Sequence, residues 1–263
     1  MNQIKVKNFR SPQRPKKSTL LAGIAVIDAA LKAGVAIDKI LVQKDGYKDV
    51  FEKARKLAAL AGAPLQIVPV QKLDSFHAGT HGGCIAIKSQ VSYKLLSDVL
   101  AQLMDSGKAP LLLMLDGVTD VRNIGGMART AHALGVDALV IPEKGVGALN
   151  EDAVLTSAGA LRELTVCRVP SLLKAVDDMH LHGIQVAGTQ MAAQKTLNET
   201  DFSEPLCIIM GSEEKGIHPA LLKACDFTFS IPMHNRFESL NVSVAAGIIL
   251  YAAAAQRAQK MKA

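Results

Sequence analysis

The residues able to do chemistry gather in three loops of the second half of the chain. The first runs from Asp116 through Gly117, Val118, Thr119 and Asp120 to Asn123, Gly125, Gly126 and Arg129. Asn123 is a natural helix N-cap, and the two glycines would let another backbone or a ligand approach the first helical turn. Arg129 follows Gly125 by four residues, so its side chain shares that helix face and leans back toward the helix start. A guanidinium there would meet an anion in the mouth of the loop. The same residues also read as an ordinary capped helix with a surface arginine.

The second loop, Met210-Gly211-Ser212-Glu213-Glu214-Lys215-Gly216, follows an apolar run, Ile208 and Ile209. Gly211 would expose peptide groups at the end of a buried strand, with the carboxylate of Glu213 two residues later. The other reading is a glycine turn with solvated charges. The third loop runs from Ile231, Pro232, Met233 and His234 to Ser239, Leu240 and Asn241, just before an apolar helix that starts at Val242. Ser239 and Asn241 either cap that helix or converge on a ligand in front of it. His234 reads as a surface residue rather than a base.

Several chemistries lack their most readable feature. There is no GxGxxG, because Gly145-Val146-Gly147 is followed by Ala148, Leu149 and Asn150, and there is no P-loop, GxSxG or HExxH. The four cysteines, Cys84, Cys167, Cys207 and Cys225, form no CxxC pair and have no histidine at ligand spacing. They read as reduced core residues of a cytosolic protein, with no metal site expected. The apolar stretch from Val242 to Ala255 is shorter than the roughly 20 residues that span a bilayer, so it is expected to be a buried helix. With no Trp and 4% aromatics, recognition of RNA by an aromatic stacking sheet is disfavoured.

The elements that must position these loops follow from patterning. Apolar, β-branched runs alternate with helical stretches along the whole chain, the signature of βα units around a mostly parallel sheet. In the first half, helices are expected at 24–33 and 50–61 and strands at 39–43, 65–70 and 84–87. A polar bridge at 88–94, a helix at 95–105 and a break at Ser106, Gly107 and Pro110 put a domain boundary near residues 88–106. In the second half, strands are expected at 111–115, 138–141, 164–169, 184–189, 207–210 and 227–231. Helices are expected between them at 124–134, 152–157, 172–182 and 219–224, and last at 242–259. Residues 190–205 read as a polar loop able to act as a lid. Ligands of open α/β sheets sit at the carboxyl ends of strands, where all three loops begin.

Charge is distributed unevenly. Of 30 Lys and Arg, six stand within the first 17 residues, ahead of the first acidic residue, Asp28; the other 24 balance the 24 Asp and Glu. A basic arm in front of a neutral body favours a polyanion partner, since such arms bind by neutralising phosphates and releasing counterions. Basic tails of this kind also serve only for solubility or targeting.

Taken together and in order, the three loops resemble the signature motifs of the SpoU family of RNA 2'-O-ribose methyltransferases, within the SPOUT superfamily. Asn123-x-Gly125-x-x-x-Arg129-Thr130-Ala131 is similar to the first motif, Met210-Gly211-Ser212-Glu213-x-x-Gly216 to the second. Ile231-Pro232-Met233 with Ser239-Leu240-Asn241-Val242-Ser243-Val244-Ala245 is similar to the third. Residues 20–88 resemble the ribosomal-protein-like substrate-binding domain of many members. They depart from it at His81-Gly82-Gly83, where relatives carry His-Gln-Gly.

The resemblance implies a division into a basic arm (1–18), an RNA substrate-binding α/β domain (19–90), a linker with a helix (91–106) and a parallel-sheet methyltransferase domain (107–263) threaded into a trefoil knot. It implies S-adenosylmethionine held by Gly211, Ile231, Met233, Leu240 and Asn241, with Gly188 and Thr189 as neighbours. It further implies a homodimer, a cytoplasmic location and no membrane partner. A ribose 2'-hydroxyl is a poor nucleophile and a methylsulfonium a strong electrophile, so the protein's task would be alignment and stabilisation of developing negative charge. Arg129 is expected to contact the 2'-oxygen and adjacent phosphate as a protonated cation. Glu213, Ser239, Asn241 and Asn123 would orient it, the ribose or the cofactor. The layout resembles large-subunit (23S) rRNA guanosine methyltransferases more than tRNA members. A tRNA enzyme and a catalytically silent RNA-binding protein of the same fold are the alternatives.

Overall fold

The computed structural model describes residues 19–193, 195–234 and 239–260, and the basic arm lies outside them. The chain forms two compact units, Met1–Ser89 and Gln90–Ala263. The first contains β1 (Leu20–Ala22), α1 (Ile24–Lys32), β2 (Ile37–Gln43), α2 (Lys48–Ala61), β3 (Leu65–Val68), α3 (Val70–Phe76) and β4 (Cys84–Lys88). Its sheet runs β1-β4-β2-β3, with β2 and β3 parallel and the other pairs antiparallel. Alternation along β2 sends Ile40 and Val42 into a core with Ile27 of α1 and Leu57 of α2, and Leu41 to the other face against Leu73 of α3. The sequence pattern carries the third strand on to Val70. Pro69 ends it instead, by taking the extended N-cap position of α3 at φ −60° and ψ 150°.

His81 is buried and braces the segment before β4. Its Nδ1 accepts the Gly83 N–H at 3.1 Å, which leaves the proton on Nε2, 3.0 Å from Asp74 Oδ1.

The second unit carries β5 (Tyr93–Lys94), α4 (Leu96–Asp105), β6 (Leu111–Leu115), α5 (Val121–Ala133), β7 (Ala138–Pro142), α6 (Glu151–Thr156), α7 (Ala160–Glu163) and β8 (Thr165–Val169). There follow α8 (Leu172–Leu181), β9 (Gln185–Thr189), β10 (Lys195–Thr196), β11 (Leu206–Met210), α9 (Pro219–Ala224), β12 (Phe227–Ser230) and α10 (Val242–Lys260). The eight strands lie in the order β10-β12-β9-β11-β6-β7-β8-β5, and every pairing is parallel.

A parallel sheet needs both faces covered, which is why its strands are continuous apolar runs. Leu111, Leu113 and Leu115 of β6 face α5, α6 and α10, while Leu112 and Met114 face α4, α8 and α9. The strand β11 enters between β6 and β9, which places the carboxyl ends of β9, β11 and β12 side by side. Among the described residues no helix is long and apolar enough to cross a membrane. All four cysteines are free; Cys84, Cys167 and Cys207 are buried and Cys225 is half-buried.

Three expectations for this unit change. The helix of the first loop begins at Val121, three residues early, because Asp120 rather than Asn123 caps it: its carboxylate accepts the Arg122 N–H at 2.8 Å. Residues 160–163 form a helix that the pattern did not show, split from α6 by Ala158 and Gly159, both with positive φ. Residues 195–205 are no lid. Lys195 and Thr196 pair with β12, Leu197 and Phe202 are buried, and the Phe202 ring meets Phe229 edge-on at 5.3 Å.

Candidate active site at the carboxyl ends of the central strands

A cavity of about 520 Å³ opens at the carboxyl ends of β9, β11 and β12. Thr189 and Gln190 form one wall, the Gly211–Ile217 loop a second, and Ile231, Met233, Ser239 and Leu240 a third. Met210, Phe229 and Ile249 supply apolar floor. The second loop folds back on itself, with Ser212 and Gly216 exchanging backbone hydrogen bonds at 3.0 and 2.9 Å. Gly211 is obligatory for that fold. A Cβ on it would lie 2.5 Å from the Gly216 carbonyl oxygen and closer still to the Gly216 carbon and Ile217 nitrogen. The missing side chain therefore admits the loop's own backbone and not only a partner's. Asp116, just past β6, anchors the far end of the loop by accepting the His218 N–H at 2.6 Å. The sequence places Asp116 at the head of the first loop without giving it a role of its own. Its place at the carboxyl end of a buried strand was the available signal.

The three loops meet through hydrogen bonds at the cavity rim. Glu213 Oε1 accepts from Asn123 Nδ2 at 2.7 Å and from Asn241 Nδ2 at 2.8 Å, and Asn241 Nδ2 also lies 3.2 Å from Asn123 Oδ1. Displacement of the cap to Asp120 is what leaves the Asn123 carboxamide available, two residues into α5, for this contact. Asn241 realises the capping reading and adds a contact between loops. Its Oδ1 caps α10, accepting from Ser243 N at 3.0 Å, while its Nδ2 faces Glu213. Among the described residues Glu213 Oε2 has no recorded hydrogen bond, and Glu213 lines the cavity, so the cluster holds one carboxylate oxygen fixed and presents the other. Beside it, Arg122 grips Asp120 through Nε at 3.2 Å and through a terminal nitrogen at 2.8 Å. That hydrogen bond holds the Asp120 carboxyl below the usual carboxylate range.

Of the residues expected to hold a ligand, Thr189, Gly211, Glu213, Ile231, Met233, Ser239 and Leu240 line the cavity. Gly188 does not. Gly188 is buried just behind the lining, where a Cβ would meet Cys225 Sγ at 3.0 Å and the cavity residue Leu222 at 3.1 Å. Arg129 is exposed on α5, six residues or about 9 Å of helix beyond Asn123. Among the described residues it has no recorded hydrogen bond or ion pair. Gly125 serves helix packing: a Cβ there would collide with Thr156 and the Ala153 carbonyl of α6. His234 is exposed, as its sequence context suggested.

Residues 110–251 match the model of the SpoU rRNA methylase family, and residues 20–94 match that of the RNA 2'-O ribose methyltransferase substrate-binding domain. A Bacillus subtilis protein named as a TrmH-family tRNA/rRNA methyltransferase, YacO, is 33% identical over 227 residues, 86% of this chain and 91% of that protein. The structure resembles the SpoU methyltransferase AviRb of Streptomyces viridochromogenes, solved with AdoMet. The TM-score is 0.58 at 26% identity, covering 91% of this chain and 90% of AviRb. The A. aeolicus TrmH/SpoU tRNA modifying enzyme matches at a TM-score of 0.53 and 27% identity, over 63% of this chain and 86% of that one. With the family model spanning more than half its length and its three motif loops joined at one cavity, the chain belongs to the SpoU methylase family of RNA methyltransferases.

Proposed function

We propose that the protein methylates a ribose 2'-hydroxyl of structured RNA in the cytoplasm, using S-adenosylmethionine, and that its target is a guanosine of large-subunit rRNA. The observation that carries this reading is the union of Asn123, Glu213 and Asn241 at the rim of a single nucleoside-sized cavity. The cavity suits this cofactor on two counts. Its volume lies in the range of small-molecule sites, and its apolar floor accepts an adenine ring. Its charged lining, Glu213, Glu214 and Lys215, is net acidic, which favours a sulfonium with an amino group over a phosphorylated nucleotide. Thr189, Gly211, Ile231, Met233 and Leu240 would hold it.

When bound, the cofactor supplies a methyl group already activated by its positive sulfur. The protein's own residues have to place the 2'-oxygen in line with that methyl and stabilise the charge that grows on it. Arg129 stands outside the cavity wall, exposed on α5 and leaning toward the helix N-terminus, a position that suits a contact with the RNA rather than with the cofactor. It stays protonated, and it stabilises the oxyanion and the adjacent phosphate while the hydroxyl proton leaves to water. Glu213, fixed by Asn123 and Asn241, sets the polar rim against which the ribose docks, with Ser239 beside it.

Two further features belong to the reading. The entry of β11 between β6 and β9 supports a C-terminal segment threaded as a trefoil knot. A homodimer is supported by α10, which leaves Val244, Ile248 and Tyr251 exposed at helical spacing, an apolar stripe that a second copy would cover. A tRNA target is the second reading, favoured by the B. subtilis relative, whose name covers both RNAs. Mapping 2'-O-methyl sites in rRNA and tRNA from a deletion strain decides between them. Arg129→Ala should lower methyl transfer about 100-fold or more while leaving cofactor affinity within about twofold. Unchanged turnover would remove Arg129 from the mechanism.

A further inference from the structure

We infer that Ser243 is a positioning residue for methyl transfer, acting through the carboxamide of Asn241; the inference rests on the proposed function. An asparagine amide has two faces of opposite polarity, and a half-turn about its last bond exchanges them. In this site only one orientation serves. Asn241 Nδ2 must face Glu213 Oε1 at 2.8 Å and Asn123 Oδ1 at 3.2 Å, since the reversed amide would set oxygen against carboxylate.

Ser243 controls the opposite face. Its hydroxyl donates to Asn241 Oδ1 at 2.6 Å, the shortest of three bonds there; the others come from the Ser243 N–H at 3.0 Å and the Val244 N–H at 3.4 Å. The two backbone donors are fixed by α10 and present in any variant. The hydroxyl is the one donor that the side chain at 243 adds. Gly126 of α5 leaves room for it across the helix pair, since a Cβ there would stand 3.4 Å from the Ser243 Cβ. Ser243 therefore sits in the seam between α5 and α10 and ties the rim cluster to both helices, without lining the cavity itself.

Loss of the hydroxyl leaves the cap in place but loosens the amide, and with it the Glu213 carboxylate. The variant Ser243→Ala, which favours helix as well as serine does or better, tests this against wild type in single-turnover methylation of total RNA from a deletion strain. Cofactor affinity is measured by calorimetry. The expected result is a rate about three- to tenfold lower at saturating cofactor, as fits one hydrogen bond, with cofactor affinity and melting temperature nearly unchanged. In an Asn241→Ala background the same change should then have no further effect on the rate, because the group through which Ser243 acts is gone. An active wild type with equally active Ser243→Ala, or losses that multiply in the double variant, would overturn the positioning role alone. Wild-type protein that methylates no RNA would overturn the enzymatic reading and this role with it.

Discussion

Replacing Gly211 by alanine puts a methyl carbon into space already held by the returning strand of the second loop. The new Cβ would stand under 2.5 Å from the Gly216 carbonyl carbon, against the ~3.5 Å at which carbon contacts become favourable, so the 216–217 backbone must retreat by about 1 Å or more. That movement strains or breaks the paired Ser212 and Gly216 hydrogen bonds, at about 1 kcal/mol each. Glu214 and Lys215 are exposed, so the loop yields outward and the sheet behind it stays packed. The net cost is therefore about 2–3 kcal/mol, a melting temperature lower by roughly 5–10 °C. Function should suffer more than stability. The displaced loop is a wall of the cavity and carries Glu213, and a shift of about 1 Å in a positioning element is enough for a loss near 100-fold. Calorimetric titration with S-adenosylmethionine beside thermal melts would measure both, with Asp177→Ala, exposed on α8 and outside the cavity lining, as a control expected to change neither. An alanine variant that kept wild-type cofactor affinity and melting temperature would refute the argument that close backbone approach, rather than ligand contact alone, requires glycine at 211.

Other outcomes follow from packing and charge. Arg257, partly buried in the last turns of α10, donates to the carbonyls of Phe202, Glu204, Ala109 and Pro110, so Arg257→Ala strands several acceptors. A loss of about 3 kcal/mol in denaturant unfolding is expected; a loss under about 1 would show the acceptors rehydrate freely. Burial pushes the Cys84 thiol up to about 12 and the Cys167 and Cys225 thiols to about 11, from an ordinary value of 9.0. The native protein should then resist thiol alkylation at pH 8 and react on unfolding. Because the folded values are raised, the protonated thiols' contribution to stability is full below pH 9 and lost as pH rises toward 11–12, which alkaline melts would show. Placing a charge on the α10 stripe by Ile248→Glu should yield a folded monomer in sizing with light scattering, and an unchanged mass would assign the stripe to something other than dimerisation.

Much of the fold was legible because its parallel strands are buried on both faces. Leu111–Leu115 and Pro219–Ala224 fall where apolar runs and helix signals put them, and the remaining elements deviate mainly at their ends. The misses have local causes. Asp120 outcompetes Asn123 as a cap, since both are good acceptors and only the backbone geometry decides which one meets a free N–H. Residues 195–205 look like a polar loop because two buried anchors, Leu197 and Phe202, are too few to make a pattern.

The sequence by itself determined the class of fold, the three loops and the residue types at their tips, because apolar period, glycines and capping residues act over a few positions. Which of those tips meet was decided only in three dimensions. Asn123 and Glu213 are 90 positions apart and Asn123 and Asn241 118, and they touch because β11 enters between β6 and β9 and brings three strand ends together. The same packing buried Gly188 behind the cavity lining and left Arg129 outside its wall. Hydrogen bonds between loops this distant depend on strand order, and strand order is set by how whole faces of the sheet are buried rather than by any short stretch of residues.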